Sequence, residues 1–374
     1  MIVPDLLLNL KYLVFSSWLC YSVYVLVGVL GLLYKPKLSP KRANSVNFVI
    51  VTIASQKVRK SLLESITHTK SMLSSYPLWV VCDEDSELIG ELKPIIRDRL
   101  VIVPRDYRRD LVAKGRAINY FIESKVNPNE WYAFIDDDNL ILDDNFLYEI
   151  PYYEKGGYVA ANPILIPRQG KSKLTFIMDF VRYFDDLTIF RFFTGLIGKP
   201  LKGLHGELLL VKGQVLKEIK FDHPTITEDF RFASELVRRN YRTWQSSTKV
   251  SIRSPNTIRD LQRQRGRWII GILHDVRYCP LLMKLVTGLI TLNWIIGVFG
   301  SSTLSIVVLL GVFLPAVPGV VYFWLIYIFG AVTTRNFRFV FLIPLFSIIE
   351  ATAPIIGGLS NIKRRRHFVV IDEN

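Results

Sequence analysis

The sequence predicts an α/β fold, in which a mainly parallel sheet is joined to an α-helical membrane region. Two observations support this prediction. Between residues 45 and 279, short apolar runs alternate with polar helical stretches, which is the pattern of a parallel sheet with crossover helices. Long apolar segments flank that region, and 50% of the 374 residues are hydrophobic, so membrane insertion is expected.

The N-terminal segment, residues 1–34, is expected to form one transmembrane helix. Its apolar run is too long for a signal-peptide core and lacks a small-residue cleavage pattern. Four basic residues follow within residues 35–42, and the excess of positive charge on the cytoplasmic side of membrane proteins then orients the helix. Residues 35–279 are therefore expected to form a domain on the cytoplasmic face of a membrane.

Residues 280–360 are apolar again, and two arrangements of helices fit them. Four short helices would return the C-terminus to the cytoplasm, whereas three longer helices would leave it outside. The tail at residues 361–374 contains four consecutive basic residues, so about four helices and a cytoplasmic tail are favoured. Glu350 lies in the last apolar segment and is expected either inside the helix bundle or near a membrane surface.

Four short apolar runs are predicted to form strands, and the first of them is a β-branched run of the buried type. They cover residues 47–53, 78–82, 100–103 and 131–135. Parallel sheets bind ligands at the carboxyl ends of their strands. Thr52, Asp83 and Asp136 stand at such ends, so a binding site is expected where these strands finish.

The charge of the chain narrows the choice of partner. The formal net charge is +14 and the pI is about 9.6, a balance that suits phosphorylated substrates or anionic lipid headgroups. A nucleic acid partner is not expected, because the chain has no basic module with a DNA- or RNA-binding signature. The three cysteines lack the spacing of a metal site or a disulfide framework. The sequence leaves the oligomeric state open.

Residues 136–138 form an acidic triplet at the predicted end of the fourth strand. Three adjacent carboxylates repel one another, and Mg²⁺ or Mn²⁺ relieves the repulsion by binding one or two carboxylates together with substrate phosphates. In an extended chain Asp136 and Asp138 face the same way, so this pair is the predicted metal site. A solvated acidic turn without a ligand is the alternative.

Thr227, Glu228 and Asp229 precede a helical run at residues 230–238. One interpretation is structural, with Thr227 as the N-cap and the two acidic residues in the first turn, where they complement the helix dipole. The functional interpretation is that Asp229 acts as a general base for a sugar hydroxyl.

Residues 264–268 read Gln-Arg-Gly-Arg-Trp and stand in an arginine-rich run before an apolar segment. One interpretation is a cationic interfacial helix near residues 256–279. The other is that guanidinium groups bind a diphosphate while the indole stacks on a sugar or a base, and both can hold in one helix. Residues 173–193 carry aromatic side chains at helical spacing, which favours a second interfacial helix over an ordinary core helix.

These motifs together resemble the signatures of membrane-embedded family 2 glycosyltransferases, the group that includes cellulose and hyaluronan synthases. Residues 136–138, 227–229 and 264–268 match its D-x-D, T/E-D and Q-x-x-R-W patterns in order and spacing. Residues 81–86 are similar to the family's base- and ribose-binding acidic turn, and residues 114–119 to its diphosphate-binding lysine loop. More narrowly, residues 226–232 and 254–271 resemble the egghead-type β-1,4-mannosyltransferase branch.

The resemblance implies a GT-A-type domain that transfers a sugar from a nucleotide-diphosphate donor with inversion, with Mn²⁺ or Mg²⁺ as cofactor. It implies that Asp229 is the catalytic base. The metal ligands that it implies are Asp138 and Asp136. The donor-binding residues that it implies are Thr52, Asp83, Lys114, Asp136 and Arg267. The acceptor-side residues that it implies are Trp268, Gln264, His205 and Glu207.

The egghead-like branch implies GDP-mannose as donor and a lipid-linked or glycan acceptor at a membrane. A UDP-sugar-using polysaccharide synthase is the alternative, although the apolar region is smaller than in the large synthases. A degenerate domain that binds a nucleotide or a lipid without catalysis is an alternative of another class, but neither the base nor the metal carboxylates are missing. His205 and Glu207 depart from the family's glycine motif, and His205 could bind the metal, touch the acceptor or hydrogen-bond in a turn.

Overall fold

The chain folds around one mixed sheet, shown by a computed structural model that describes residue 16 and residues 19–112, 114–297 and 317–362. Its strands are β1 (Val46–Val51), β2 (Leu78–Asp83), β3 (Leu100–Val103), β4 (Trp131–Asp136), β5 (Leu140–Ile141), β6 (Tyr158–Arg168), β7 (Leu209–Lys212) and β8 (Arg242–Arg253). Their order across the sheet is β3-β2-β1-β4-β7-β6-β8-β5. The α/β fold expected from the sequence is confirmed.

The first half of the sheet is parallel, with β1 between β2 and β4 and with β3 outside β2. Every residue of β1 is buried, because structure covers both faces, as is usual for parallel sheets. Phe48 and Ile50 point into one hydrophobic core, and Val49 and Val51 point into the core on the other face. All four strands predicted from the sequence are present, and they carry the ends at which the site was expected.

The second half of the sheet contains strands that the sequence pattern does not predict. Strand β7 pairs antiparallel with β4 and β6, β6 pairs parallel with β8, and β5 closes the sheet against β8. Pro163 and Pro167 lie within β6, and proline argues against a strand because it cannot donate to the ladder. Strand β8 mixes polar with apolar residues, so its place depends on tertiary neighbours rather than on propensity.

The helices of the described part are numbered in chain order. They are α1 (Leu19–Leu33), α2 (Arg59–Met72), α3 (Ile89–Ile96), α4 (Gly115–Lys125), α5 (Asn145–Lys155), α6 (Lys173–Asp185), α7 (Gly213–Ile219), α8 (Glu228–Arg238), α9 (Ile258–Asp275), α10 (Leu281–Leu292), α11 (Val317–Thr333) and α12 (Ile343–Ile362). Helices α2, α3 and α5 cover one face of the sheet, and α4, α7 and α8 cover the other. A π-helical segment, Asp186–Ile197, continues α6; π-helical turns are rare and are often found at functional sites.

A third hydrophobic cluster joins α1, α6, α11 and α12. The ring of Phe329 on α11 lies 5.3 Å from Phe180, 6.1 Å from Tyr183 and 5.5 Å from Phe184 on α6, measured between ring centres. The aromatic stripe expected on residues 173–193 therefore packs against an apolar helix. Its position at a membrane surface stays a prediction.

Within the described residues, one helical segment, Phe337–Ile356, is long and apolar enough to cross a membrane, with a mean hydropathy of 2.1. Three further apolar helical segments are shorter, namely α1, α11 and Leu281–Ile295. The spans expected in residues 1–34 and 280–360 stay predictions, because residues 298–316 and the basic tail at 363–374 lie outside the described residues.

Candidate active site

A cavity of about 760 Å³ opens at the carboxyl ends of β1, β2 and β4. The structure brings every candidate residue to its walls, namely Thr52, Asp83, Lys114, Asp136, Asp138, His205, Glu207, Asp229, Gln264, Arg267 and Trp268. The cavity continues between the apolar helices, where Tyr21, Thr287 and Tyr322 line it. One space thus connects the strand ends with the apolar region of the chain.

Thr52 and Asp83 lie at the ends of neighbouring parallel strands. The Thr52 hydroxyl donates a hydrogen bond of 2.5 Å to Asp137 Oδ2. Asp83 Oδ1 accepts a hydrogen bond of 2.9 Å from Arg116, which also donates to two carbonyl groups of the loop after β3. Burial raises the pKa of Asp83 against the opposing charge of Arg116. Thr52 is thus tied to the acidic triplet after β4, and Asp83 is tied to α4 through Arg116.

Lys114 precedes the first residue of α4, and its ammonium group forms an ion pair with Asp136. Burial alone would lower the pKa of Lys114, but the carboxylates of Asp136, Asp137 and Glu228 outweigh it and raise that pKa above its ordinary value. The lysine therefore keeps its charge at neutral pH. A fixed ammonium group beside the end of β4 can bind a phosphate oxygen as a point charge.

Asp136 and Asp138 supply the hard oxygen donors that Mg²⁺ and Mn²⁺ prefer. Strand β4 ends at Asp136 and a turn follows, so the alternation expected of an extended chain stops before Asp138. Asp136 is engaged by Lys114, and both carboxylate residues line the cavity. No group of three or more His, Cys, Asp or Glu side chains that could hold a metal occurs in the described part of the chain. The pair fits a cation that takes its other ligands from substrate phosphates and water.

Glu228 and Asp229 are the first two residues of α8. Burial raises the pKa of Asp229 to about 6, and the negative charge of Glu207 adds to the rise. Burial and the charge of Asp229 raise the pKa of Glu228 to about 7. A carboxylate whose pKa lies closer to the working pH is a better proton acceptor than an ordinary one, so Asp229 is suited to the role expected of it.

Gly206 separates the expected base from the acidic triplet. A Cβ atom on Gly206 would lie 3.8 Å from Asp136 Oδ1 and 4.0 Å from Asp229 Oδ2. Both carboxylates therefore border the space beside Gly206. A reacting carbon near that space would lie close to a donor-side carboxylate and to a proton acceptor.

Glu207 forms an ion pair with Arg182, a residue of α6 to which the sequence motifs give no role. Burial would raise the pKa of Glu207, but the charges of Arg182 and His205 outweigh it and lower that pKa to about 2. The guanidinium carbon of Arg182 lies 5.2 Å from the ring centre of Trp268. Glu207 and Trp268, two candidate acceptor residues, therefore share Arg182. In the sequence, this arginine is marked only by its place on a helix with an aromatic stripe.

His205 is held from two sides. Its Nε2 atom lies 2.6 Å from Asp186 Oδ1, and its backbone N–H donates to Asn162 Oδ1 at 3.0 Å. Burial alone would lower the pKa of His205, but the carboxylate of Asp186 outweighs it and raises that pKa. Asp186 is fully buried in the π-helical segment, and no motif points to it. Of the three roles considered for His205, hydrogen bonding is therefore the one for which the structure shows partners, Asp186 and Asn162.

The chain is similar to a known protein family, to named proteins and to solved structures. A family model described as "Glycosyl transferase family group 2" matches residues 131–354. The chain belongs to this family. The matched residues run from β4 into α12 and include the acidic triplet, the pair at the start of α8 and the Gln-Arg-Gly-Arg-Trp motif. The family expected from the motifs is confirmed.

This family group 2 chain is also similar to two named animal proteins. It is 29% identical over 195 residues to beta-1,4-mannosyltransferase bre-3 of Caenorhabditis elegans, covering 50% of this chain and 43% of the relative. It is 26% identical over 310 residues to beta-1,4-mannosyltransferase egh of Drosophila melanogaster, covering 73% of this chain and 66% of the relative. The matches therefore span 43% and 66% of the relatives' own lengths. The similarity to the egghead-type branch is confirmed.

Among solved structures, the chain resembles the mannosyltransferase PcManGT of Pyrobaculum calidifontis, whose structure was solved with GDP-Man and Mn²⁺. The TM-score is 0.55 at 15% sequence identity, covering 93% of this chain and 97% of that one. A likeness at this identity shows the fold, and the GT-A-type architecture expected from the motifs is confirmed.

Proposed function

We propose that this family group 2 chain is an inverting β-1,4-mannosyltransferase, which moves mannose from GDP-mannose to a hydroxyl group of a lipid-linked or glycan acceptor. The names of the similar proteins from Caenorhabditis and Drosophila support the sugar and the linkage. The observation that carries the proposal is that the donor-side carboxylate of Asp136 and the carboxylate of Asp229 both border the space beside Gly206.

The acceptor side of the cavity favours an uncharged group. Its cations are matched by carboxylates: Arg182 pairs with Glu207, and Lys202 pairs with Asp185. Lys202 also donates to the Tyr24 hydroxyl at 3.2 Å. Paired charges and hydroxyl groups suit the many hydroxyls of a sugar, whereas a phosphate acceptor would need a surplus of positive charge. A general base at Asp229 also favours a hydroxyl acceptor, because a hydroxyl group must lose its proton when it receives the sugar.

In the proposed reaction, Asp229 accepts the proton of the acceptor hydroxyl as its oxygen bonds to the anomeric carbon of mannose. The bond between that carbon and the diphosphate oxygen breaks on the opposite side, so the configuration inverts and GDP leaves. Lys114 and Arg267 offset the negative charge that develops on the leaving diphosphate. Thr52 and Asp83 hold the nucleoside at the strand ends.

Asp138, with help from Asp136, would hold Mn²⁺ or Mg²⁺ against the donor phosphates. When bound, such a cation supplies Lewis-acid neutralisation of the leaving group. The ion pair between Lys114 and Asp136 places a second positive charge beside the same carboxylates. Lys114 thereby limits the repulsion within the triplet.

The apolar helices support work at a membrane. The segment Phe337–Ile356 is long and apolar enough to cross one, and several of its large apolar side chains are exposed, among them Phe337, Phe341 and Leu345. Large exposed apolar surface of this kind marks a membrane or protein contact. We place the catalytic domain on the cytoplasmic face, following the basic residues after α1. An acceptor carried by a lipid could then enter through the part of the cavity between these helices.

The test is a transfer assay on the detergent-purified full chain with Mn²⁺. GDP-mannose, GDP-fucose, UDP-glucose and UDP-N-acetylglucosamine are each offered with a lipid glycoside that has a free 4-hydroxyl, or with a polyprenyl phosphate. Transfer of mannose to the glycoside with a β-1,4 linkage, read by product mass and linkage analysis, is the expected result. Transfer from a UDP-sugar alone, or to the phosphate alone, would reject the proposal.

A further inference from the structure

Glu350 is a buried acidic residue on the apolar helix α12. Its carboxylate accepts hydrogen bonds from Arg265 of α9, with distances of 3.4 Å from Nε and 3.3 Å from Nη2 to Oε1. Arg265 Nη2 also donates to Asp179 Oδ1 on α6 at 3.1 Å. Arg265 is 1% exposed and Asp179 is fully buried. One guanidinium group therefore ties three helices together.

Arg265 also contacts two of the four expected acceptor-side residues, Gln264 and Trp268. Its Nη1 atom donates to Gln264 Oε1 at 3.0 Å. Its guanidinium carbon lies 4.6 Å from the ring centre of Trp268, within the range of a cation–π contact. The orientation of Arg265 thus bears on the positions of Gln264 and Trp268.

We propose that Glu350 is a positioning residue for sugar transfer, which acts through Arg265 to place Trp268 and Gln264 against the acceptor. The inference rests on the proposed function, because it concerns the acceptor side of the same site. A charge in an apolar helix is costly, and such residues are usually paired and functional. The guanidinium fork has fixed geometry, so a carboxylate that orients it also fixes the side chains that it touches.

The contacts of Arg265 with Glu350 and Asp179 could serve only to hold the helices together. This structural role and the proposed positioning role differ in which binding constants they change. A purely structural link would, when weakened, affect donor and acceptor binding alike. A positioning link changes acceptor binding more than donor binding, because the strand-end contacts of Thr52, Asp83 and Lys114 do not involve α12. Separate measurements of the GDP affinity and of the acceptor KM therefore distinguish the two roles.

The experiment uses the full chain in detergent and compares Glu350→Gln with the wild type. Glutamine keeps the size of the side chain and removes its charge. We expect the acceptor KM to rise about tenfold, in line with the loss of one oriented cation–π contact, with GDP affinity by calorimetry unchanged. Asp179→Asn should act in the same direction. Thr352→Val is the matched control on α12, because the Thr352 hydroxyl donates to the Ile348 carbonyl of its own helix.

A second readout is independent of transfer. The tryptophan fluorescence emission of each protein is measured with and without the substitution Trp268→Phe, and the difference between the two spectra reports on the Trp268 ring. This difference should change in Glu350→Gln and should not change in Thr352→Val. If the wild type transfers no mannose, the proposed function fails while the emission still decides the inference. If the wild type transfers mannose, an unchanged acceptor KM overturns the inference, as does an equal loss of GDP affinity; if it does not, unchanged emission overturns it. If Glu350→Gln does not fold, Glu350→Asp decides: a raised acceptor KM supports the inference, and wild-type constants overturn it.

Discussion

The hydroxyl group of Thr227 donates a hydrogen bond of 3.0 Å to Asp275, the last residue of α9. Thr227 stands at the N-cap position of α8, yet its side chain makes no capping bond there. Asp275 also accepts a hydrogen bond from Thr225. The start of α8, and with it Asp229, is therefore held by the helix that carries the Gln-Arg-Gly-Arg-Trp motif.

The close contact between α8 and α9 predicts that Gly271→Ala impairs both stability and turnover. An added Cβ would lie 2.4 Å from Thr227 Cγ2, so the start of α8 must shift. Overpacking of this kind typically costs about 1–3 kcal/mol. Thermal unfolding and kcat in detergent measure the two effects. Gly288→Ala is the control, because a Cβ there meets no atom within 4 Å, and wild-type behaviour of Gly271→Ala would contradict the contact.

Removal of the proposed base should separate chemistry from binding. Asp229→Asn keeps the shape of the side chain but cannot take a proton, so transfer should fall by about 10²–10⁴-fold, the usual worth of general-base assistance. GDP affinity by calorimetry should stay near the wild-type value, and Glu228→Gln should lose less activity. Loss of GDP binding in Asp229→Asn would mean that Asp229 holds the donor or the structure instead.

The pH profile should report the ionisation of Asp229. A base must be ionised to work, so kcat/KM should fall as the pH drops through about 6, the raised pKa of Asp229. The negative charge of Glu207 contributes to that rise; Glu207→Gln should therefore move the midpoint to lower pH. Glu91→Gln, which alters an exposed ion pair with Arg59, should leave it in place. A midpoint that moves upward in Glu207→Gln would contradict the assignment.

Metal dependence should trace to Asp138. Asp138→Asn removes the charge proposed to hold the cation, so transfer should be abolished and GDP-mannose affinity in Mn²⁺ should weaken strongly. In EDTA the wild type should lose activity and regain it on addition of Mn²⁺ or Mg²⁺. Asp143→Asn, which follows the triplet closely in the sequence but lies outside the cavity lining, serves as the control. Near-normal turnover in EDTA would remove the metal from the proposal.

The expected topology can be tested at each end of the chain separately. Single cysteines are introduced as Leu38→Cys and His367→Cys in a background without native cysteines. They report on the basic segment that follows the N-terminal apolar segment and on the basic C-terminal tail. Neither should react with a membrane-impermeant maleimide in intact cells, and both should react after permeabilisation. Labelling of His367→Cys from outside would favour three C-terminal helices over four.

The sequence alone predicted the parallel half of the sheet and the edge at which the cavity opens. Both predictions depend on local signals: β-branched runs identify buried strands, and the strand ends locate Thr52, Asp83 and Asp136. The motif residues could be named for the same reason, because each lies in a short pattern with its own spacing. Strands β6 and β8 were not predicted, because β6 contains prolines and β8 contains many polar residues. Both form strands through pairing with segments that are far away in the chain.

Only the tertiary structure decided which groups become partners. The hydrogen bond from Thr52 to Asp137 and the ion pair of Arg182 with Glu207 join residues far apart in the chain, and no periodicity connects such positions. The sequence left Glu350 between a bundle interior and a membrane surface; the structure places it in the interior against Arg265. The physical reason is that a buried charge requires a partner, and which partner comes within reach depends on how the helices pack.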